Sequence, residues 1–523
     1  MSAASWCARL VLAGLALVLA GCAALPAPTP MPKSFADAAG PTTPLGRIAA
    51  VGAPPASQSL SGLRLLPEGP SAFNARIALA RRATRSIDAQ YYILQDDPVG
   101  LAFLRELRDA AGRGVRVRLL VDDLYTAGKD DLFALLAAQP NFELRLFNPL
   151  AVRSGPQALR LALSLGDARR VNRRMHNKLF VVDNSFAITG GRNIADEYFM
   201  RSDRANFIDM DVLAAGPVVP ELSATFDDYW NSAQVRVLGS MVMLPADTPV
   251  NRERLDRLLH GAVAALPEPA VDALGQTPVT TELDAGRIAW IWGDARVLAD
   301  TPKKITIEDA EASFADSVTQ RTVAAMWGAS SEVVMVSPYF IPGNDGVALM
   351  KEGVERGVRM IVITNALDAT DESLVYAGYA RYRLRMLKAG VKMYELGAKL
   401  ATRDKQLGDF RSSSGRLHAK LAMVDRRRLF IGSMNLDGRS ARLNTEVGLL
   451  VDSPALAAQF DKLIPLRSLG AYALELDATG QHVQWIEYEP DGSSKTLSAE
   501  PGASWLGGLK DWLLLMLLPE DML

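Results

Sequence analysis

Apolar positions along this chain alternate between the spacing of strands and the spacing of helices. Residues 86–93 (SIDAQYYI) read as a strand, residues 99–111 carry apolar side chains at helical spacing, and residues 114–121 (GVRVRLLV) read as a strand behind a glycine stop. A further helix is expected at 130–139 and a further strand at 142–147. Strands and helices in this order predict an α/β fold, a mixed sheet flanked by helices. The pattern then recurs. Residues 332–341 (EVVMVSPYFI) echo the first strand, and residues 357–363 (GVRMIVI) echo the stretch that begins at Gly114. Two similar halves are expected, which suits a 523-residue chain too long for one ordinary core.

The flanks break this pattern. The N-terminus, MSAASWCARLVLAGLALVLAGC, has one arginine, an apolar run and a small residue before Cys22, the layout of a secretory signal. Its apolar run is short for a spanning helix, which needs about 20 residues. The ending Leu19-Ala20-Gly21-Cys22 resembles the lipobox of bacterial lipoproteins, in which the cysteine is lipidated. The expectation is an exported, membrane-anchored lipoprotein on the periplasmic side, at the outer membrane; an uncleaved inner-membrane signal anchor is the alternative. Residues 23–62 are rich in Pro, Ala, Gly, Ser and Thr without periodicity and read as a flexible tether. Residues 63–235 then form the first half, 236–320 an insertion without recognisable chemistry, and 321–466 the second half. The tail, 467–523, contains SWLGGLKDWLLLMLL, too short to span; it fits either the membrane interface or a docked terminal helix.

Composition narrows the function. An apolar fraction of 49% with 22% charged residues describes a folded globular chain. A net charge of −2 offers nucleic acid no general attraction, which places a nuclease behind other readings. Cys7 and Cys22 are the only cysteines, so a chain matured at a lipidated Cys22 keeps no thiol for a disulfide or a metal.

The chemical signal is a repeat within the repeat. RMHNKLFVVD, ending at Asp183, sets Lys178 two residues after His176 and the aspartate five further on. LHAKLAMVD does the same with His418, Lys420 and Asp425. Gly114 to His176 spans 62 residues and Gly357 to His418 spans 61, so both copies hold the triplet at the same depth. A given histidine should meet both spacings by chance at most about once in a hundred. Side chains two apart on a strand share a face, so each half offers an imidazole beside a fixed positive charge. Beyond each aspartate come Gly190-Gly191-Arg192-Asn193 and Gly432-Ser433-Met434-Asn435, whose glycines permit a tight turn. Two lysines and two asparagines converging on one point would cradle a tetrahedral phosphate, and two flanking histidines suit in-line displacement at phosphorus. Arg192, inside the turn, is read as a phosphate ligand. For Arg169, Arg170, Arg173 and Arg174 two readings stand, a draw for anionic head groups or a solvated face. His260 and His482 match no motif.

These motifs resemble the phospholipase D superfamily, whose signature is HxKxxxxD followed by GSxxN, twice per chain. The resemblance covers residues 63–466, and IDAQYYILQDD, RRMHNK, GGRNIADEYF, AGYARYR and GSMNLDGRSARLNTEVG are similar to bacterial cardiolipin synthases of the C type. It implies halves packed about a pseudo-twofold, with one shared active site and no cofactor or metal. It also implies that His176 attacks a phosphodiester to form a phosphatidyl-histidine while His418 protonates the departing alcohol, then deprotonates the acceptor; pseudo-symmetry leaves the reverse assignment open. Lys178, Lys420, Asn193, Asn435, Gly191 and Ser433 would hold phosphate, Gly191 standing where the family has serine. Each imidazole should have an orienting carboxylate: Glu446 in the second copy, and in the first Asp209, with Asp211 as the other candidate. Asp183 and Asp425 complete the motifs and are read as structural. The implied partners are a membrane surface and phospholipids, phosphatidylglycerol with phosphatidylethanolamine as a second candidate, and no nucleic acid. A cardiolipin-forming phosphatidyltransferase leads; a phospholipase D releasing phosphatidic acid, a nuclease and a non-catalytic lipid-binding module follow in that order.

Overall fold

The computed structural model of the chain describes residue 25 and residues 31–54, 59–263, 265–403, 407–463, 470–489 and 491–503. Cys22 and the apolar stretch from 504 onward lie outside the described residues. Among the described residues, no helix is long and apolar enough to cross a membrane.

The first half contributes β1 (Ser61–Leu66), β2 (Ser86–Tyr91), β3 (Arg116–Asp122), β4 (Phe142–Phe147), β5 (Leu179–Val182), β6 (Phe186–Gly190), β7 (Ala205–Ile208), β8 (Asp211–Ala215) and β9 (Val235–Val237). Their sheet runs β9-β4-β3-β2-β5-β6-β8-β1. β2, β3 and β4 are parallel because the helices Pro98–Gly112 and Asp130–Ala137 cross over between them. From β10 (Ile291–Ala299), the order repeats through β11 (Glu332–Val336), β12 (Arg359–Asn365), β13 (Lys392–Leu396), β14 (Ser414–Leu417), β15 (Leu421–Val424), β16 (Arg428–Gly432), β17 (Val447–Asp452) and β18 (Ala471–Leu476). The second sheet runs β18-β13-β12-β11-β15-β16-β17-β10, the first one's order strand for strand. β1 and β10 pair antiparallel, Gly62 opposite Trp292, and weld the two into one 18-stranded sheet that also takes in β19 (Val483–Tyr488) and β20 (Ser494–Leu497).

Strand periodicity sorts the core into three layers. Val117, Leu119 and Val121 face the outer helices of the first half, whereas Leu120 turns inward with Leu179, Val181 and Val212. Those inward residues meet Val336, Leu421, Met423 and Val447 in a central core drawn from both halves. Val333, Met335, Val362 and Met393 form the outer layer of the second half. Burial on both faces is why these strands read as continuous apolar runs.

Three boundaries differ from those read in the sequence. Part of the expected tether is docked: the helix Pro44–Ala50 buries Leu45, Ala36 N donates to Asp227 at 2.8 Å, and Ser34 O accepts from Arg118 at 2.9 Å. These are backbone groups meeting charged side chains, a contact that hydrophobic periodicity does not register. The expected insertion contains β10, the counterpart of β1, so the second half begins near Ile291. The rest of that segment caps the first half, where Asn74 exchanges hydrogen bonds of 2.7 and 3.0 Å with the Leu266 backbone. The expected tail contains β18, the counterpart of β9, which pairs with β13 and brings β19 and β20 with it.

Candidate active site

Each histidine motif is stitched to the opposite half before its strand begins. His176 N donates to Thr445 O at 2.9 Å, and Thr445 N returns a bond of 2.9 Å to Arg174 O. Across the pseudo-twofold, β14 pairs in parallel with β7, and His418 N donates to Ile208 O at 2.8 Å. Thr445 precedes Glu446 and Ile208 precedes Asp209, so each carboxylate arrives beside the histidine of the other half.

The two pairs are therefore crossed. His176 Nδ1 lies 2.9 and 3.1 Å from the Glu446 carboxylate oxygens, and His418 Nδ1 lies 2.6 Å from Asp209 Oδ2. The sequence placed one carboxylate in each copy, and the structure exchanges them between copies. Asp211 is excluded as an orienting group, because it pairs with Arg76 at 2.9 Å and Arg192 at 3.4 Å. With Nδ1–H donated to a carboxylate, the lone pair of each imidazole is left on Nε2.

All of these groups are buried, and burial sets their charge states. Burial lowers His176 to about 4, against the pull of Glu446, and burial followed by the Lys420 charge lowers His418. Burial pushes Asp209 up, but the neighbouring His418 and Lys420 outweigh it and bring the carboxyl down to about 2. Glu446 is lowered in the same way: burial opposes it, and His176, Lys178 and the Ser433 hydroxyl prevail. Each pair is thus a neutral imidazole donating to an anionic carboxylate. Burial also lowers both lysines, Lys420 to about 8 and Lys178 well below the ordinary lysine value. Each ammonium folds back onto the carbonyl of its own histidine, Lys178 onto His176 O and Lys420 onto His418 O.

The glycine turns differ. At Gly191 a Cβ would stand 2.0 Å from Asp209 Oδ1, so the position has no room for the serine of the motif. Ser433, its counterpart, donates to Glu446 and accepts from Val447 N at 3.0 Å. Its hydroxyl is spent on the carboxylate, which corrects the expectation that it meets phosphate. Asn193 Oδ1 accepts from Ile93 N at 3.1 Å, and its amide donates to Tyr198 at 2.8 Å. Asn435 Oδ1 is buried without a hydrogen-bond partner among the described residues; a flip of the amide would turn its donor, Nδ2, to that position, which is what a phosphate needs.

Asp183 and Asp425 are structural, as read. Asp183 accepts from Thr84, Arg85 and Ser86 at the start of β2, and Asp425 from Ser330, Ser331 and Glu332 at the start of β11. Arg192, read as a phosphate ligand, is structural too, and so are Arg173 and Arg174 of the arginine run. Arg192 is wholly buried and donates to the carbonyls of Leu66, Pro67 and Asp209. Arg174 bonds Asp122 at 3.0 Å and Val171 O at 2.7 Å, and Arg173 reaches Ile307 O. The aromatic walls carry no motif and escaped the sequence reading. Tyr92 packs edge-on to His176 with ring centroids 5.1 Å apart, while Tyr198 and Phe207 flank His418 at 5.1 and 4.8 Å. Their signal was their place, just beyond β2, in the short helix Asp196–Phe199 after the first glycine turn, and on β7. His260 and His482 are exposed, the latter bonded to Asp477.

Two α/β halves that exchange carboxylates to hold a pair of buried imidazoles define a phospholipase D-like phosphodiester-transfer site. The chain belongs to the cardiolipin synthase family of such proteins: the family model "Cardiolipin synthase, PLD-like domain" matches residues 77–230 and 323–465. It is 38% identical over 432 residues to cardiolipin synthase C of Escherichia coli K12, covering 82% of this chain and 89% of that one. It is 27% identical over 403 residues to cardiolipin synthase A of Pseudomonas fluorescens Pf-5, covering 77% and 67%. Among solved structures, the phosphatidylserine synthase of Haemophilus influenzae Rd KW20 aligns with a TM-score of 0.49 and 16% identity, covering 79% of this chain and 87% of that one.

Proposed function

We propose that this chain transfers a phosphatidyl group between phospholipids to form cardiolipin, through a phosphohistidine on His176. The observation that carries the reading is the crossed pair of buried imidazoles, each with Nδ1 fixed by a carboxylate and Nε2 free. Family membership and the 38% identity to a cardiolipin synthase support the choice of substrate.

In the first step His176 Nε2 attacks the donor phosphorus. The N–P bond forms as the P–O bond to the head-group alcohol breaks, and protonated His418 gives its Nε2 proton to the departing oxygen. The negative charge of the bound diester raises the proton affinity of His418, which burial alone depresses. In the second step the glycerol hydroxyl of phosphatidylglycerol gives its proton to His418 and attacks phosphorus, and the N–P bond breaks. Lys178 and Lys420 turn from their carbonyls to the phosphate oxygens as charge develops there. Asn435 completes the cradle.

We assign donor and acceptor to phosphatidylglycerol, with phosphatidylethanolamine the alternative donor, at a membrane to which Cys22 tethers the protein on the exported side. The first 22 residues support that placement. Purified protein with phosphatidylglycerol vesicles, with or without phosphatidylethanolamine, should yield cardiolipin by chromatography. Phosphatidic acid as sole product would make the enzyme a hydrolase, and cleavage of DNA instead would overturn the lipid reading. Incorporation of a fatty-acid analogue should be lost in Cys22→Ser; retained labelling would refute the anchor.

A further inference from the structure

A cavity of about 860 Å³ lies in the second half, and the residues that directly follow Asn435 form part of its wall. It lies between the helices Val318–Trp327 and Gly343–Glu355, over β11, and its walls are apolar: Val323, Met326, Trp327, Phe340, Leu349 and Leu436. The corresponding helices of the first half, Gly69–Arg82 and Pro98–Gly112, are covered instead by Leu255, Leu259, Leu266 and Leu283 of the segment before β10.

The cavity has a polar rim and a reactive end. At the rim Arg442 stands 3.8 Å from Glu311. At the inner end the wall is formed by Leu436, Asp437 and Gly438, the residues that directly follow Asn435 of the phosphate cradle. Asp437 is buried there, close enough to Lys420 and Glu446 for their charges to act on it. An apolar chamber of this size falls within the roughly 300–1,000 Å³ of small-ligand sites, and apolar surface left open this close to a reactive centre marks a ligand.

We infer that this cavity holds one fatty acyl chain of the phosphatidyl group being transferred. The inference rests on the lipid reading above. In a phosphatidyl group the acyl chains hang a few bonds from phosphorus, and here the apolar walls begin two residues beyond the cradle.

The test uses the full-length protein and vesicles of phosphatidylglycerol carrying a photoreactive diazirine in one acyl chain. Cross-links should map by mass spectrometry to residues 318–327 and 343–355; labels confined to other segments would overturn the assignment. In parallel, Leu349→Trp and Val323→Trp fill the cavity from opposite walls. In either variant, turnover of dioleoyl-phosphatidylglycerol relative to the acyl-free diester bis(p-nitrophenyl) phosphate should fall at least about tenfold. An unchanged ratio in both variants would contradict the pocket. Phosphatidic acid in place of cardiolipin would sink the transferase reading alone, since the cross-links and the ratio still report the acyl chain.

Discussion

In the first half the orienting acid is Asp209, packed against Gly191 and bonded by the Met210 backbone at 2.7 Å. In the second it is Glu446, one methylene longer, reached by the hydroxyls of Ser433 and Ser440, the latter at 2.7 Å. The two halves thus keep the position of a carboxylate while changing its length and its supports. A short acid leaves no room for a serine, and a long one needs hydroxyls to hold it. The difference also polarises the pair. His418 meets its acid through a single 2.6 Å contact, which suits a group that must hold and return a proton. His176 shares two longer contacts with its acid, which fix the ring and its tautomer as a nucleophile needs.

The largest break in this comparison comes from the imidazoles themselves. His176→Ala and His418→Ala should each lower transfer at least about 10³-fold, as removal of a nucleophile or its partner does elsewhere. Full activity in either would end the paired mechanism. Asp209→Asn and Glu446→Gln should follow with losses of about 10²–10³-fold, because the amide stabilises the wrong tautomer. The sharper readout is imidazole ¹⁵N chemical shift: Asp209→Asn should move His418, and Glu446→Gln should move His176. Shifts confined to the histidine of the same half would refute the exchange.

Smaller effects test the supports. Gly191→Ser forces a side chain against Asp209 and should cost about 1–3 kcal/mol by thermal unfolding, or a matching loss of rate. The pH profile of kcat/KM should fall on the alkaline side near 8. Lys420 is charged below its pKa of about 8, where burial has placed it, and loses its hold on phosphate above. Lys420→Arg should move that limb to higher pH; an unmoved limb would assign it to another group. Ser433→Ala removes one of the hydroxyls on Glu446 and should slow turnover only several-fold, in line with about 0.5–1.5 kcal/mol for a hydrogen bond.

The motifs were legible in the sequence because they obey local rules. A histidine and a lysine two apart, ahead of a β-branched run, state strand, face and charge together, and repetition at matched depth supplies the second copy. The central strands were legible for the same reason. What escaped was long-range. That Glu446 serves His176 depends on the parallel bridge between Met175 and Thr445, 270 residues apart in sequence, and no spacing encodes it. β10 and β18 escaped because their role is to extend sheets already formed, and half-exposed strands carry weaker patterns. Of the docked residues, Ser34, Ala36 and Asp37 escaped because arginine and aspartate side chains of the first half, rather than an apolar face, hold them. Arg192 was misread for the converse reason: a guanidinium in a glycine turn looks like an anion ligand until its donors are seen to end on carbonyls.

The division of labour between the halves is tested most directly by trapping the intermediate. His418→Ala should react once with a phosphatidyl p-nitrophenyl ester, whose leaving group needs no proton, and then stall. Mass spectrometry of the quenched protein should find the phosphatidyl group on His176, with no adduct formed in His176→Ala. An adduct on His418 in the His176→Ala protein, or none in either variant, would contradict the account.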